Sequence, residues 1–186
     1  MAVIHDDGYG TEAASAAVVA AVVSRGLNVS IKAIDINDAA LDVYRKHAAE
    51  GHWLAHASKM GANSLDGFVD DTFMLSLRNA LLFVLPVDGI DAVKGVYRTL
   101  KPGVSAVFNS WRAHLCLAPA GLEKWSRAGF LKSIAERGRF EKAEIDIRES
   151  PVVCDCLKMD RFGTMLSNYI GTTSSVGWLK LDEQNR

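Results

Sequence analysis

Apolar residues come in short runs that stop at polar or glycine-rich turns, and between those runs they recur at helical spacing. Ala2-Val-Ile-His5 is the first run. It stops at Asp6-Asp7-Gly8-Tyr9-Gly10, which predicts a strand followed by a glycine turn. Thr11 is placed to cap a helix, with Glu12 in its first turn, where the helix dipole favours an anion. The helix should run from Ala13 to Ser24 and stop near Gly26. Ala and Val cover almost all of its faces, so it is expected to lie buried against a sheet. Val29 to Ile34 reads as the second strand, ending at Asp35, and Asn37 or Asp38 caps a helix to about Ala49. A weak strand falls near Trp53-Leu54-Ala55, and a clear one over Phe73 to Leu77 leads to Arg78-Asn79. Between Asp88 and Leu100, the residues Ile90, Val93, Val96, Tyr97 and Leu100 mark one helical face, ended by Lys101-Pro102-Gly103. Ser105 to Phe108 is a further strand leading to Asn109-Ser110-Trp111. A helix over Leu122 to Arg137, an alternating strand over Ala143 to Ile147 and a mostly helical tail after Cys156 complete the pattern.

Strands alternating with helices predict an α/β fold: a Rossmann-like, mainly parallel sheet with helices on both faces. The chain carries no internal repeat and no linker-like run, so residues 1–186 are expected to form a single domain. Ligands of such sheets bind at the carboxyl ends of the strands. That rule nominates Asp6 to Glu12, Asp35, Met60 to Ser64, Arg78-Asn79 and Asn109 to His114.

Composition narrows the classes. The 186 residues are 49% hydrophobic and 23% charged, as in a globular chain. Against 22 Asp and Glu stand 21 Lys and Arg, a net charge of -1, so no basic surplus draws the chain to nucleic acid or to an acidic membrane surface. The longest apolar stretch is well short of the roughly 20 residues a membrane span needs. The amino terminus is acidic where a signal peptide would be basic. Cys116, Cys154 and Cys156 are too few and too odd in number for a disulfide framework, which points to a reducing, cytoplasmic compartment. His47, His52 and His56 do not share one helical face, and no metal site is expected from them. His5, within an apolar strand, is expected to be a satisfied core histidine.

Asp6-x-Gly8-x-Gly10 between a strand and a helix is a backbone device. Its glycines permit a tight turn and close ligand approach, and the helix start offers free N–H groups. A dinucleotide-binding domain opens in the same way. The later segments separate the two. Val-Ile-His-Asp at 3–6, Ala-Ile-Asp at 33–35, Asp-Thr-Phe at 71–73, and Tyr-Arg-Thr-Leu-Lys-Pro-Gly at 97–103 before a strand ending in Trp111 together resemble class I S-adenosylmethionine methyltransferases. The nearest resemblance is to the fungal enzymes of secondary metabolism. It runs over nearly the whole chain.

The resemblance implies a cofactor at the first two strands. Asp6, Gly8 and Gly10 would hold its methionine part, Asp35 its ribose, and the segment from Met60 its adenine, with Asn79 beside the transferred methyl. The sequence departs from the pattern at two points. The third glycine of the turn is Glu12, which sets a carboxylate where the cofactor's own carboxylate must go. Gly61 stands where an adenine-binding Asp is common. The chain also starts at the first strand and ends soon after Trp178, so a truncated version of the fold is expected, along with a homo-oligomer, a dimer in the simplest case, that covers its edge.

Three functions follow. In the first, a degenerate methyltransferase fold cyclises an apolar small-molecule intermediate, as a pericyclase does, needing no cofactor. Shape and a hydrogen-bond donor on an activating carbonyl suffice, from Arg78, Arg112, His114 or Tyr9, with Trp111 against the substrate. In the second, S-adenosylmethionine binds after all, Asn79 aligns the methyl, and His114 or Asp6 takes a proton. In the third, the chain is a non-catalytic partner of a complete methyltransferase. Arg78, at the end of an apolar strand, needs either a structural carboxylate or a substrate as its partner.

Overall fold

The computed structural model describes residues 1–8, 12–63, 65–110 and 123–149. The chain separates into two compact units, Met1–Ile147 and Arg148–Arg186. Of the second, only Arg148 and Glu149 are among the described residues. The tail expected to be mostly helical, with Cys154 and Cys156, lies outside them.

Five parallel strands form the sheet: β1 (Ala2–Asp7), β2 (Val29–Asp35), β3 (Ala55–Lys59), β4 (Phe73–Asn79) and β5 (Leu100–Asn109), in the order β3-β2-β1-β4-β5. The helices are α1 (Ala13–Val23), α2 (Asp38–Glu50), α3 (Ile90–Thr99) and α4 (Ala128–Arg137). That strand order is the doubly wound one, with β1 central and the strand order reversing beside it. The fold is therefore the expected Rossmann-like sheet.

Helices cover both faces because β2 is apolar on both. Ala33 packs with Leu41, Tyr44 and Ala48 of α2, while its neighbour Ile34, pointing the other way, packs with Phe73, Val96 and Leu100. A third cluster joins Leu82, Ile90 and Val93 to Trp125 and Ile134 of the segment ending in α4. Asn37 caps α2, its side-chain oxygen accepting from the N–H groups of Ala39 and Ala40. No helix among the described residues is long and apolar enough to cross a membrane.

The helix expected from Leu122 begins only at Ala128, after a 3-10 turn over Glu123–Ser126, and Glu12 rather than Thr11 stands at the N-cap of α1. The structure departs from the sequence pattern in four other places. First, α1 is not buried: of its residues only Ser15 is fully so. Small apolar side chains spread evenly round a helix give no single stripe to bury, and Ser15 meets polar partners on β1 and α2. Second, the third strand lies two residues later than expected, and Trp53 instead packs edge-on to Tyr44 with ring centroids 6.1 Å apart. Third, Lys101-Pro102-Gly103 ends α3 but lies inside β5. Pairing jumps from Phe73 with Leu100 to Leu75 with Ser105, so the turn is taken up as an irregularity in the ladder. Fourth, Ala143 to Ile147 is not a strand. Lys142–Glu144 is a short 3-10 turn and the following residues are largely exposed. Alternation alone supplies no neighbouring strand to pair with.

Candidate functional site

Central strand β1 turns polar as it reaches its carboxyl end: His5, Asp6 and Asp7 are all fully buried. Burying three titratable groups in succession is costly unless each finds a partner. His5 stacks on Phe73 at a centroid distance of 4.7 Å, and its Nδ1 bonds to the Ser76 hydroxyl at 3.0 Å. It is a core histidine, as expected, but not a fully satisfied one: its Nε2 is buried without a partner among the described residues. Burial, helped by the charge on Arg78, pulls its pKa down to about 3.

Asp6 accepts a hydrogen bond from the Ser15 hydroxyl at 2.5 Å. Since that hydrogen is used, the 2.9 Å contact between Ser15 and Tyr44 runs the other way, with the tyrosine hydroxyl donating. Tyr44 keeps its proton, because burial pushes its pKa up to about 12. The relay Tyr44 to Ser15 to Asp6 ties β1, α1 and α2 together at the glycine turn. Asp6, placed by the resemblance against a cofactor, is turned to α1. Burial pushes its pKa up to about 6, opposed by the Ser15 hydrogen bonds and reinforced by the charges of Asp35 and Glu12.

Asp6 and His5 give opposite dependences on pH. A carboxyl whose folded pKa is raised adds stability below its unfolded value of ~3.9 and loses it as pH rises through about 6. A histidine whose folded pKa is lowered adds stability above ~6.5 and loses it as pH falls toward about 3. Between pH ~4 and ~6 the two offset one another. Asp6→Asn, which keeps an oxygen for Ser15, is expected to stabilise the protein near neutral pH. That gain should shrink by about 1.4 kcal/mol per pH unit at most as pH falls through the Asp6 window. Denaturant titrations at a series of pH values check this, and a gain independent of pH would contradict it.

Arg78, on β4, lies beside Asp7 in the sheet register. Its Nη2 pairs with the Asp7 carboxylate and also donates to the Ala62 carbonyl at 3.2 Å. Both side chains are fully shielded from solvent. Burial pushes Asp7 up to about 7 and lowers Arg78, while each charge pulls the other back. The partner of Arg78 is thus a structural carboxylate, which corrects its assignment as a catalytic donor. Its bond to Ala62 fixes the loop after β3, the segment that the resemblance sets against adenine.

At the end of β2, Asp35 accepts the Asn37 N–H at 2.9 Å, and its backbone oxygen accepts that of Met60 at 3.0 Å. Met60 leans into the core cluster of Ile34, Leu65 and Phe73. Gly61 is exposed, and a Cβ added there would meet only Ile36, at 3.9 Å. Ile36, between Asp35 and Asn37, is 71% exposed. An apolar residue straight after a strand-end Asp is the one signal of it in the sequence. Gly8 has a φ of 64°, and Leu81 packs where its side chain would be.

Glu12 is the most unusual residue of this end. Its φ is 54°, the left-handed conformation that glycine favours, at the position where the resemblance has glycine. One oxygen of its carboxylate lies 2.6 Å from His47 Nδ1 on α2. The side chain is only 14% exposed, and its other oxygen is buried without a hydrogen-bond partner among the described residues.

At the far end of the edge, Asn79 and Asn109 stand side by side on β4 and β5. Asn109 Nδ2 donates to Asn79 Oδ1 at 2.6 Å, and Asn109 Oδ1 accepts the Ala80 N–H at 2.6 Å. The structure therefore brings Asp6, Gly8, Asp35, Met60, Arg78 and Asn79 to one end of the sheet. Tyr9, Gly10, Trp111, Arg112 and His114 lie outside the described residues.

No family model matches the chain, and no curated protein does. Solved structures match in part. The YcgJ protein of Bacillus subtilis is 24% identical with a TM-score of 0.44, over 54% of this chain and 40% of that one. The [4+2]-cyclase SpnF is 22% identical with a TM-score of 0.48, over 56% and 37%. The CMeT domain of the citrinin polyketide synthase is 13% identical with a TM-score of 0.49, over 56% and 27%. The chain thus spans less than half the length of each of these. At these identities and TM-scores the likeness adds nothing about activity.

Proposed function

We propose that this chain is an enzyme of small-molecule biosynthesis on a degenerate methyltransferase fold, of the kind used in fungal secondary metabolism, which cyclises an apolar intermediate without methyl transfer. The observation that supports this reading is Glu12. It adopts the left-handed backbone that the missing glycine would favour, but it brings a mostly buried carboxylate with one oxygen unpartnered among the described residues. The charges of Glu12 and Asp35 already act on Asp6. A cofactor carboxylate brought to this helix start meets like charge, and the residues present do not fit it. A cyclisation asks for less: a shaped site that holds the reacting carbons together and a donor on a carbonyl that activates them.

A methyltransferase is the second reading. Asp35 at the β2 end favours it. Mass spectrometry of products from crude extracts of unsaturated metabolites separates the two. The cyclisation predicts isomers of unchanged mass whose formation needs no added S-adenosylmethionine. Products heavier by one methylene, formed only with it, would overturn the proposal. The homodimer belongs to the same proposal, and light scattering at micromolar concentration tests it.

A further inference from the structure

We infer that Asn79 presents its amide N–H, and not its oxygen, to whatever binds at the β4 and β5 ends, so that the molecule held there offers a carbonyl-type acceptor oxygen. The inference rests on reading this strand end as the substrate site and names the group that the site recognises.

The polarity is forced step by step. Ala80 N–H can only donate, so the Asn109 atom 2.6 Å from it is the side-chain oxygen. The Asn109 amide nitrogen is then the atom facing Asn79, and it needs an acceptor. Asn79 supplies its oxygen at 2.6 Å. What Asn79 has left is Nδ2, for which no partner stands among the described residues. Side-chain amides are ordinarily free to turn over and exchange donor for acceptor. Here a backbone N–H sets the first amide and the first sets the second. The corner is held firmly: Ala80 has a φ of 53°, a conformation that a residue with a Cβ keeps only where its surroundings impose it. Asn79 itself is half-buried, so its remaining donor is partly shielded from water. With Arg78 Nη2 paired to Asp7, Asn79 is the amide donor that the described part of this edge offers to a carbonyl, beside the buried Ser110 hydroxyl, which has no partner among the described residues.

Two isosteric variants invert the polarity without removing a hydrogen bond. In Asn109→Asp, one carboxylate oxygen still accepts from Ala80. The other now faces Asn79, which must turn its NH2 inward and present its oxygen. In Asn79→Asp, the Asn109 amide is still satisfied and a carboxylate oxygen faces outward. The probes are acetophenone, which only accepts, and indole, which through its N–H only donates. Both are neutral aromatic molecules of similar size, and the Asn side-chain NH2 signals in nitrogen-proton NMR spectra report their binding. The wild-type protein is expected to prefer acetophenone by about tenfold at most, the reach of one neutral hydrogen bond. Both variants should reverse that preference, with the Asn109→Asp reversal showing that Asn109 positions Asn79. Equal binding of the two probes, a preference unchanged in the variants, or no acetophenone binding at millimolar concentration would overturn the inference. Methylated products would sink the cyclisation while leaving the amide polarity intact, so the two proposals fail separately.

Discussion

Replacing Asp7 by leucine is expected to cost about 3–5 kcal/mol of folding stability, enough to unfold many domains of this size. The substitution leaves the Arg78 guanidinium buried with no counter-charge, and a guanidinium does not escape by losing its proton at any ordinary pH. The reverse single change, Arg78→Met, should cost less. Asp7 stripped of its partner takes up a proton, and burial already drives it in that direction. The cost of Arg78→Met should therefore fall as pH is lowered toward about 7 and level off below it, where Asp7 is protonated with or without Arg78, whereas that of Asp7→Leu should not fall. Joining the two in one protein removes both charges and is expected to bring stability back to within about 1 kcal/mol of wild type, or above it. Urea denaturation of the three variants at pH 5 and pH 8 measures the cycle. A double variant as unstable as Asp7→Leu would show that the pair does not act as a unit.

The second large effect concerns Glu12. If its carboxylate is what keeps an amino-acid carboxylate from the helix start, then removing the charge should admit one. Two like charges ~6 Å apart at an effective dielectric near 20 repel by about 3 kcal/mol, so Glu12→Gln should raise affinity for S-adenosylhomocysteine by roughly a hundredfold. Glu12→Gly should do as much and also relieve the left-handed backbone, for which glycine carries no steric cost. Its lost contact with the partly exposed His47 is a small term, since such pairs contribute little. Calorimetry on the two variants beside wild type checks this. Equal affinity in all three would clear Glu12 of any part in excluding the cofactor.

The sheet was legible because its evidence is local. The apolar runs of β1, β2 and β4, the Asn37 cap and the face of Ile90, Val93 and Val96 each announce themselves within a few residues. β3 was displaced because Ala55 to Lys59 buries only Ala57 and carries no apolar run. Exposure of α1 was not legible, since composition says that a face is apolar but not that anything covers it. The site was half readable. Strand ends named Asp6, Asp35, Arg78 and Asn79. That Arg78 answers to Asp7, and that Asn109 dictates the orientation of Asn79, are facts of register between strands far apart in sequence, and no spacing within one strand records them. The left-handed backbone of Glu12 was hidden for a related reason: the sequence shows a glycine lost, and only the fold shows that its conformation was kept.

Titration of the wild-type protein with S-adenosylmethionine and S-adenosylhomocysteine by calorimetry tests the central claim most directly. No heat of binding with either ligand at millimolar concentration is the result expected of a site repurposed for cyclisation. Dissociation constants near micromolar, about -8 kcal/mol of binding free energy, would contradict it and return the chain to methyl transfer.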